Sequence, residues 1–129
     1  MIPNHLTVHT SLHVHKNVDK LRYKYDHMAI IYGIVCNITQ MIYIGSSWDP
    51  VRRFNKHFIK KDPSRMNPYL LADIDKHGLD NFTVYVFTKV VINRSDTLKV
   101  RKATLRKVEQ SYMDMYPTEL MYNNIKAES

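Results

Sequence analysis

The densest apolar stretches of the chain are MAIIYGIVC (28–36) and MIYIG (41–45). Both are hydrophobic at odd and even positions and rich in β-branched and aromatic residues, the signature of strands covered on two faces. The short polar link Asn37 to Gln40 predicts that they pair as a hairpin. If paired residue numbers sum to an odd value, Tyr32 and Tyr43 project from the same face, opposite or diagonal to each other. An even sum puts them on opposite faces. A third strand is predicted over NFTVYVFTKVVI (81–92), where Phe82, Val84 and Val86 alternate with Thr83, Tyr85 and Phe87.

The apolar period lengthens after residue 48. Asp49 is a good N-cap and Pro50 suits the first helical position, where a missing N–H costs nothing. Val51, Phe54 and Phe58 then follow a helical face, and Arg53 and His57 stack four apart on its flank. KKDPSRMNP (60–68) reads as a loop. YLLADIDKHG (69–78) reads as a short helix with Leu70 or Leu71, Ile74 and His77 inward, closed by Gly78. A last helix is predicted from about Ser95 to Tyr116, capped by Ser95 or Asp96 and stopped before Pro117. Its inward face would carry Leu98, Leu105, Val108, Tyr112 and Met115. The order two strands, helix, helix, strand, helix predicts an α+β domain: a small antiparallel sheet of about three strands flanked by helices.

Residues 1–27 differ from 28–129 and read as an arm ahead of the domain. In HLTVHTSLHVH the apolar Leu6, Val8, Leu12 and Val14 share one parity while His9, His13 and His15 share the other. This is either an added edge strand or a mobile arm; a zinc-binding histidine face lacks the Cys or carboxylate that would complete a tetrahedral set. KNVDKLRYKYDH (16–27) reads as a solvated linker or a segment laid along a phosphate backbone.

Composition narrows the function. The chain has 129 residues with 44% hydrophobic and 24% charged, enough for one domain with a core of its own. A lone cysteine in an apolar run gives no disulfide framework and points to an intracellular setting. No apolar run reaches membrane-spanning length, so no membrane partner is expected. The net charge of +7 points to a polyanionic partner. Arg52 to Lys61 and Lys99 to Lys107 are candidate backbone-contacting stretches, with Arg52, Lys56, Lys60, Lys61, Lys102 and Arg106 as the contact residues.

The sharpest local anomaly is Glu109, one helical turn from both Leu105 and Tyr112 on an otherwise apolar face. A desolvated carboxylate needs compensation. The spacing leaves two readings: an ion pair with Arg53 or Lys102, or a metal ligand.

Taken together, these residues resemble the GIY-YIG nuclease family. Tyr43-Ile44-Gly45 stands as the second half of its motif, followed by Ser46-Ser47. The first half is altered to Ile30-Ile31-Tyr32, with Gly33 after the tyrosine. The step from Tyr32 to Tyr43, the step from Tyr43 to Arg53, Phe54 next to it, and His57 beyond all fit the family order. KHGLDNFTVYVF resembles its turn before the third strand, Glu109 in VEQSYM its metal-binding glutamate, and Asn123 in MYNNI its terminal asparagine. The resemblance runs over about residues 28 to 125.

It implies hydrolysis of a phosphodiester in DNA, expected to be double-stranded, with Mg²⁺ (or Mn²⁺) and no small-molecule cofactor. Glu109 would hold the metal, Arg53 stabilise the phosphoryl oxygens and Tyr32 act as general base. Tyr43 would orient water or phosphate, His57 would bond to Tyr32 or relay its proton, and Asn123 would be a polar clamp. A single glutamate suits Mg²⁺, which keeps most of its waters. Tyr32, with a reference pKa of about 10, would need nearby positive charge to work at neutral pH. A compact nuclease of this kind would act alone or as a homodimer, in a homing-endonuclease, restriction or repair role. The rival reading is a nucleic-acid-binding module that keeps the scaffold and does not cut. A weaker third option is a metal binder built on the histidine arm.

Overall fold

The structure, a computed structural model, describes residues 2, 4–10, 15–25, 28–59, 66–93 and 95–124. Four strands form one antiparallel sheet: β1 (Thr7–Thr10), β2 (Ile30–Cys36), β3 (Ile42–Ser47) and β4 (Phe82–Lys89), in the order β1-β4-β2-β3. The sheet is therefore one strand larger than the three predicted, because the arm adds β1 to the free edge of β4. β2 lies at the centre, and all seven of its residues are buried.

The hairpin register settles the parity question. Tyr32 pairs with Gly45 and Ile34 with Tyr43, an odd sum, so Tyr32 and Tyr43 share a face on a diagonal. Their ring centroids lie 6.5 Å apart. That face is covered by α1 (His15–Tyr25), α2 (Pro50–Phe54) and α3 (Pro68–His77), whose Val18, Leu21, Tyr25, Val51, Phe54 and Leu70 pack on Ile30, Tyr32, Ile34 and Val84. The opposite face carries Ile31, Val35, Ile42, Ile44 and Phe87, and is covered by α4 (Leu98–Met113) through Leu105, Val108 and Tyr112.

β2 and β4 slip by one residue between Ile31 and Tyr32, so that Phe87 is the extra residue on β4. Its ring stacks on Tyr112 at 5.1 Å and lies over Gly33. A Cβ at position 33 would stand 2.7 Å from that ring, which is why a glycine is required after Tyr32.

α2 starts as predicted: Asp49 accepts from the Arg52 N–H at 3.3 Å with Pro50 in the first turn. It continues as a π-helical turn over Asn55–Ile59, which keeps Phe58 in the core, stacked on Phe54. α3 starts on Asn67, which caps the Tyr69 and Leu70 N–H groups, and stops at Gly78, whose φ of 83° is left-handed.

Three expectations are corrected. The stretch 16–27 is mostly helix rather than linker: Val18, Leu21 and Tyr25 recur at helical spacing and are all buried. α4 begins after Thr97, whose side chain caps the Val100 N–H, and ends at Met113. Leu98 and Met115, expected inward, are therefore exposed at or beyond its ends.

The alternation read in the arm is realised in β1, with the Thr7/His9 parity turned inward. Thr7 and His9 face α1, while Leu6 and Val8 are about half exposed. α1 covers the Thr7/His9 side of β1, whereas on the other side α4 packs over β3, at the far edge of the sheet. Thr7 Oγ1 ties β1 to α1 by a hydrogen bond to Tyr25 Oη at 2.6 Å and bonds within the strand to His9 Nε2 at 2.8 Å. Among the described residues His9 belongs to no metal-ligating cluster, and His13 lies outside them.

Burial, and then Lys24 and Lys20, lower the His9 pKa from its usual 6.5 to about 4. The unfolded chain therefore binds more protons than the native one between those values, so stability is present above pH 6.5 and is lost as pH falls toward 4. Discounted for partial exposure, the loss is about 1–2 kcal/mol. Urea midpoints at pH 7 and pH 4.5 should separate for the wild type and draw together in His9→Gln.

Candidate active site

β3 is the outer strand of the sheet, and the candidate groups gather around it from both faces. Tyr43 comes from β3 on the Tyr32 face, and Arg53 from α2 on the same side. Ser46 points to the opposite face, where α4 brings Glu109 against it: Ser46 Oγ donates to Glu109 Oε2 at 3.2 Å. Tyr43, Ser46, Trp48, Arg53, Lys102, Leu105, Arg106 and Glu109 line one pocket of about 310 Å³. Glu109 is thus half-buried and open to a cavity, rather than sealed in the core.

Tyr32 lies behind this pocket and is only 3% exposed, packed edge-on against Phe54. Its hydroxyl rests over Gly45, where an added Cβ would come within 2.6 Å of it. The glycine opposite Tyr32 is what lets the ring lie flat enough to meet Arg53.

The electrostatics are those of a crowded, partly dry site. Burial pushes the Tyr32 phenol above its ordinary value of 10; the Arg53 guanidinium, acting as charge and hydrogen-bond donor, pulls the other way, and the Glu109 charge raises it. The expected depression of Tyr32 by Arg53 is therefore outweighed by burial. Tyr43 is raised for the same reason, then by Tyr32 and Glu109, with Arg53 opposing. Burial raises Glu109 as well, against the Ser46 hydrogen bond and the positive charges of Arg106 and Arg53. Each acid in the site thus resists ionisation for want of solvent.

A divalent ion fits these donors. The carboxylate of Glu109 and the hydroxyls of Ser46 and Tyr43 are hard oxygen groups around a polar cavity, the preference of Mg²⁺ and Mn²⁺. A cation there would also relieve the cost of holding Glu109 ionised while half-buried.

The structure brings Tyr32, Tyr43, Arg53 and Glu109 together, with Lys102 and Arg106 on the pocket rim. Arg52 and Lys56 are exposed beyond it. The side chain of His57, with Lys60 and Lys61, lies outside the described residues.

Asn123 stands apart from the reacting groups. Its Oδ1 accepts from Ile44 N at 2.9 Å and its Nδ2 donates to Ile44 O at 2.7 Å, so its side chain pairs with the outer edge of β3. Ser46 and Trp48 are the site residues that sequence reasoning gave no role. Ser46 directly follows the Tyr-Ile-Gly triplet, which was the only sequence signal for it; that it faces α4 follows from its pairing with Ile31.

Gly45→Ala should displace the Tyr32 ring, because its Cβ would fall 2.6 Å from Oη and 2.9 Å from the Tyr43 ring. A loss of about 1–3 kcal/mol is expected. Urea denaturation measures it, and a variant as stable as the wild type would contradict the packing described.

No curated protein and no solved structure gives a significant match to this chain. A family model does: that of the GIY-YIG catalytic domain, over residues 28–119 of the 129, a span that starts at the strand bearing Tyr32 and includes Glu109. With its two tyrosines on one face of a hairpin and its glutamate delivered to the same edge, this chain belongs to the GIY-YIG family and carries its nuclease domain.

Proposed function

We propose that this nuclease domain is a divalent-metal-dependent DNA endonuclease, with Mg²⁺ or Mn²⁺ held by Glu109. The observation that carries this reading is the placement of Glu109, bonded to Ser46 and facing a cavity shared with Tyr43 and Arg53. A bound metal would polarise the phosphate and stabilise the leaving 3′ oxygen.

The chain supplies the rest. Arg53 presents a planar, permanently charged fork to the phosphoryl oxygens from a helix held by Asp49 and Pro50. Tyr43 lines the cavity and orients water or phosphate. Tyr32 accepts the proton of the attacking water at its hydroxyl, beside Arg53, and His57 is assigned by the family resemblance to bond to it or relay its proton. Asn123 acts by holding β3, and so Tyr43 and Ser46, in register. Lys102 and Arg106 on the rim, with Arg52, Lys56, Lys60 and Lys61, meet the backbone of double-stranded DNA.

Purified protein should nick supercoiled plasmid when Mg²⁺ is added, and Glu109→Ala should lose about 100-fold or more of that rate while staying folded. Equal cleavage by the two, or none of any DNA form in any metal, refutes the proposal. Salt-sensitive binding without cleavage would instead identify a binding module, the reading that the net charge of +7 also supports.

The burial of Tyr32 adds a second test. Because its neutral form is favoured, the ionised fraction grows about tenfold per pH unit across the neutral range. Cleavage should rise with pH through neutrality. Tyr32→Phe should remove both the rate and its pH dependence.

A further inference from the structure

A second group of metal-ligating side chains lies away from the nuclease pocket, where the end of β2 meets α3. Cys36 Sγ, a carboxylate oxygen of Asp73 and a ring nitrogen of His77 all lie within 4.8 Å of one another. They are of three different donor types and come from two elements. Cys36 is the last residue of β2, its side chain on the face that α3 covers. Asp73 and His77 are one turn apart on α3, so their side chains stand on one flank of the helix.

The positions of all three are held from outside the cluster. The backbone at Cys36 is fixed on both sides, by pairing with Phe82 and by the Cys36 N–H to Met41 carbonyl bond at 2.9 Å. Tyr122 Oη donates to Asp73 Oδ2 at 2.6 Å, which orients the carboxylate and leaves Oδ1 to a ligand, the usual outer support of a metal-binding acid. At the end of α3, Asn81 Nδ2 donates to the His77 carbonyl at 2.5 Å. Cys36 is buried, whereas Asp73 and His77 are only partly so, which leaves an entry path from solvent.

We propose that Cys36, Asp73 and His77 form a zinc site, separate from the Glu109 pocket, that pins α3 to the end of β2. Thiolate, imidazole and carboxylate are the three side-chain ligands of Zn²⁺, and a thiolate disfavours Mg²⁺. Zinc bonds of about 2.0–2.3 Å place tetrahedral neighbours roughly 3.5 Å apart, so shifts of about 1 Å close the set. Three protein ligands leave the fourth position to water. The structural benefit falls where the fold is thin: α3 carries a single fully buried side chain, Leu70.

Cobalt reports on the site directly, because the chain has one cysteine and any sulfur-to-cobalt charge-transfer band must come from Cys36. The full chain, stripped with chelator under reducing conditions, is titrated with Co²⁺ and then with Zn²⁺. One equivalent of Co²⁺ should give that band together with intense tetrahedral d–d bands, and Zn²⁺ should bleach both. Zn²⁺ should also raise Tm by roughly 5 °C. Asp73→Asn and His77→Gln should each weaken the Co²⁺ binding read from the charge-transfer band at least about tenfold, and Glu109→Ala should leave that band and its midpoint unchanged. Cys36→Ser should abolish the band; if that buried substitution unfolds the protein, the two α3 variants decide. A folded wild type with no such band overturns the proposal, as does a band of unchanged affinity in both α3 variants, which would mark an unassisted thiol.

Discussion

Side chains alternate along a strand, so the register of β2 against β3 decides which groups can meet. Pairing Tyr32 with Gly45 sends Tyr43 to the Tyr32 face and Ser46 to the other. A slip of one residue would exchange those faces, taking Tyr43 away from Arg53 and Ser46 away from Glu109. The register is held by sterics as much as by hydrogen bonds. Tyr32 needs a residue without a side chain across from it, and Gly45 is the glycine that β3 offers. On the opposite face Gly33 does the same for Phe87, whose ring fills the space a Cβ would take. Two glycines in adjacent strands thus admit two aromatic rings on opposite faces of one sheet.

Placing the site on an outer strand lets helices from both faces reach it, at the cost of an exposed backbone edge. α2 and α4 lie on different sides of the sheet, and only at its border can Arg53 and Glu109 share a pocket. An unpaired edge is also prone to slip or to pair with another chain. Here the C-terminal segment covers it: Met121 bridges to Ile42, and the Asn123 amide reproduces for Ile44 both hydrogen bonds of a neighbouring strand. Asparagine suits this because its carboxamide places an N–H donor beside a carbonyl acceptor, complementary to the N–H and C=O of one strand residue.

What was legible in the sequence follows from range. The apolar runs of β2, β3 and β4, the Asp49-Pro50 start of α2 and the Gly78 stop of α3 are local signals, and the structure follows them. The altered first triplet was legible as an alteration, but the bulge at Phe87 that accompanies it needs β4, far along the chain. β1 was visible as an alternating pattern, yet its inward face could not be read, because that depends on which side α1 covers. α1 itself was missed although Val18, Leu21 and Tyr25 carry helical spacing, since basic residues and Tyr23 obscure the stripe. The tie between Asn123 and Ile44 spans 79 residues and has no local trace beyond the asparagine itself.

The energetics of the site explain why its acids and bases are so placed. Glu109, Tyr43 and Tyr32 all have their charged forms disfavoured by burial, and Tyr32 and Tyr43 are further raised by Glu109. Arg53 is the common counterweight, lowering all three. One guanidinium cannot offset the burial of three anions, so the protein alone favours a neutral pair of phenols beside a reluctant carboxylate. Positive charge added next to Glu109 acts on all three groups at once, because the same crowding that raises their pKa values couples them. A pocket of this construction is poised to respond to a cation, and its half-dry walls make each unit of that charge count for more than it would in water.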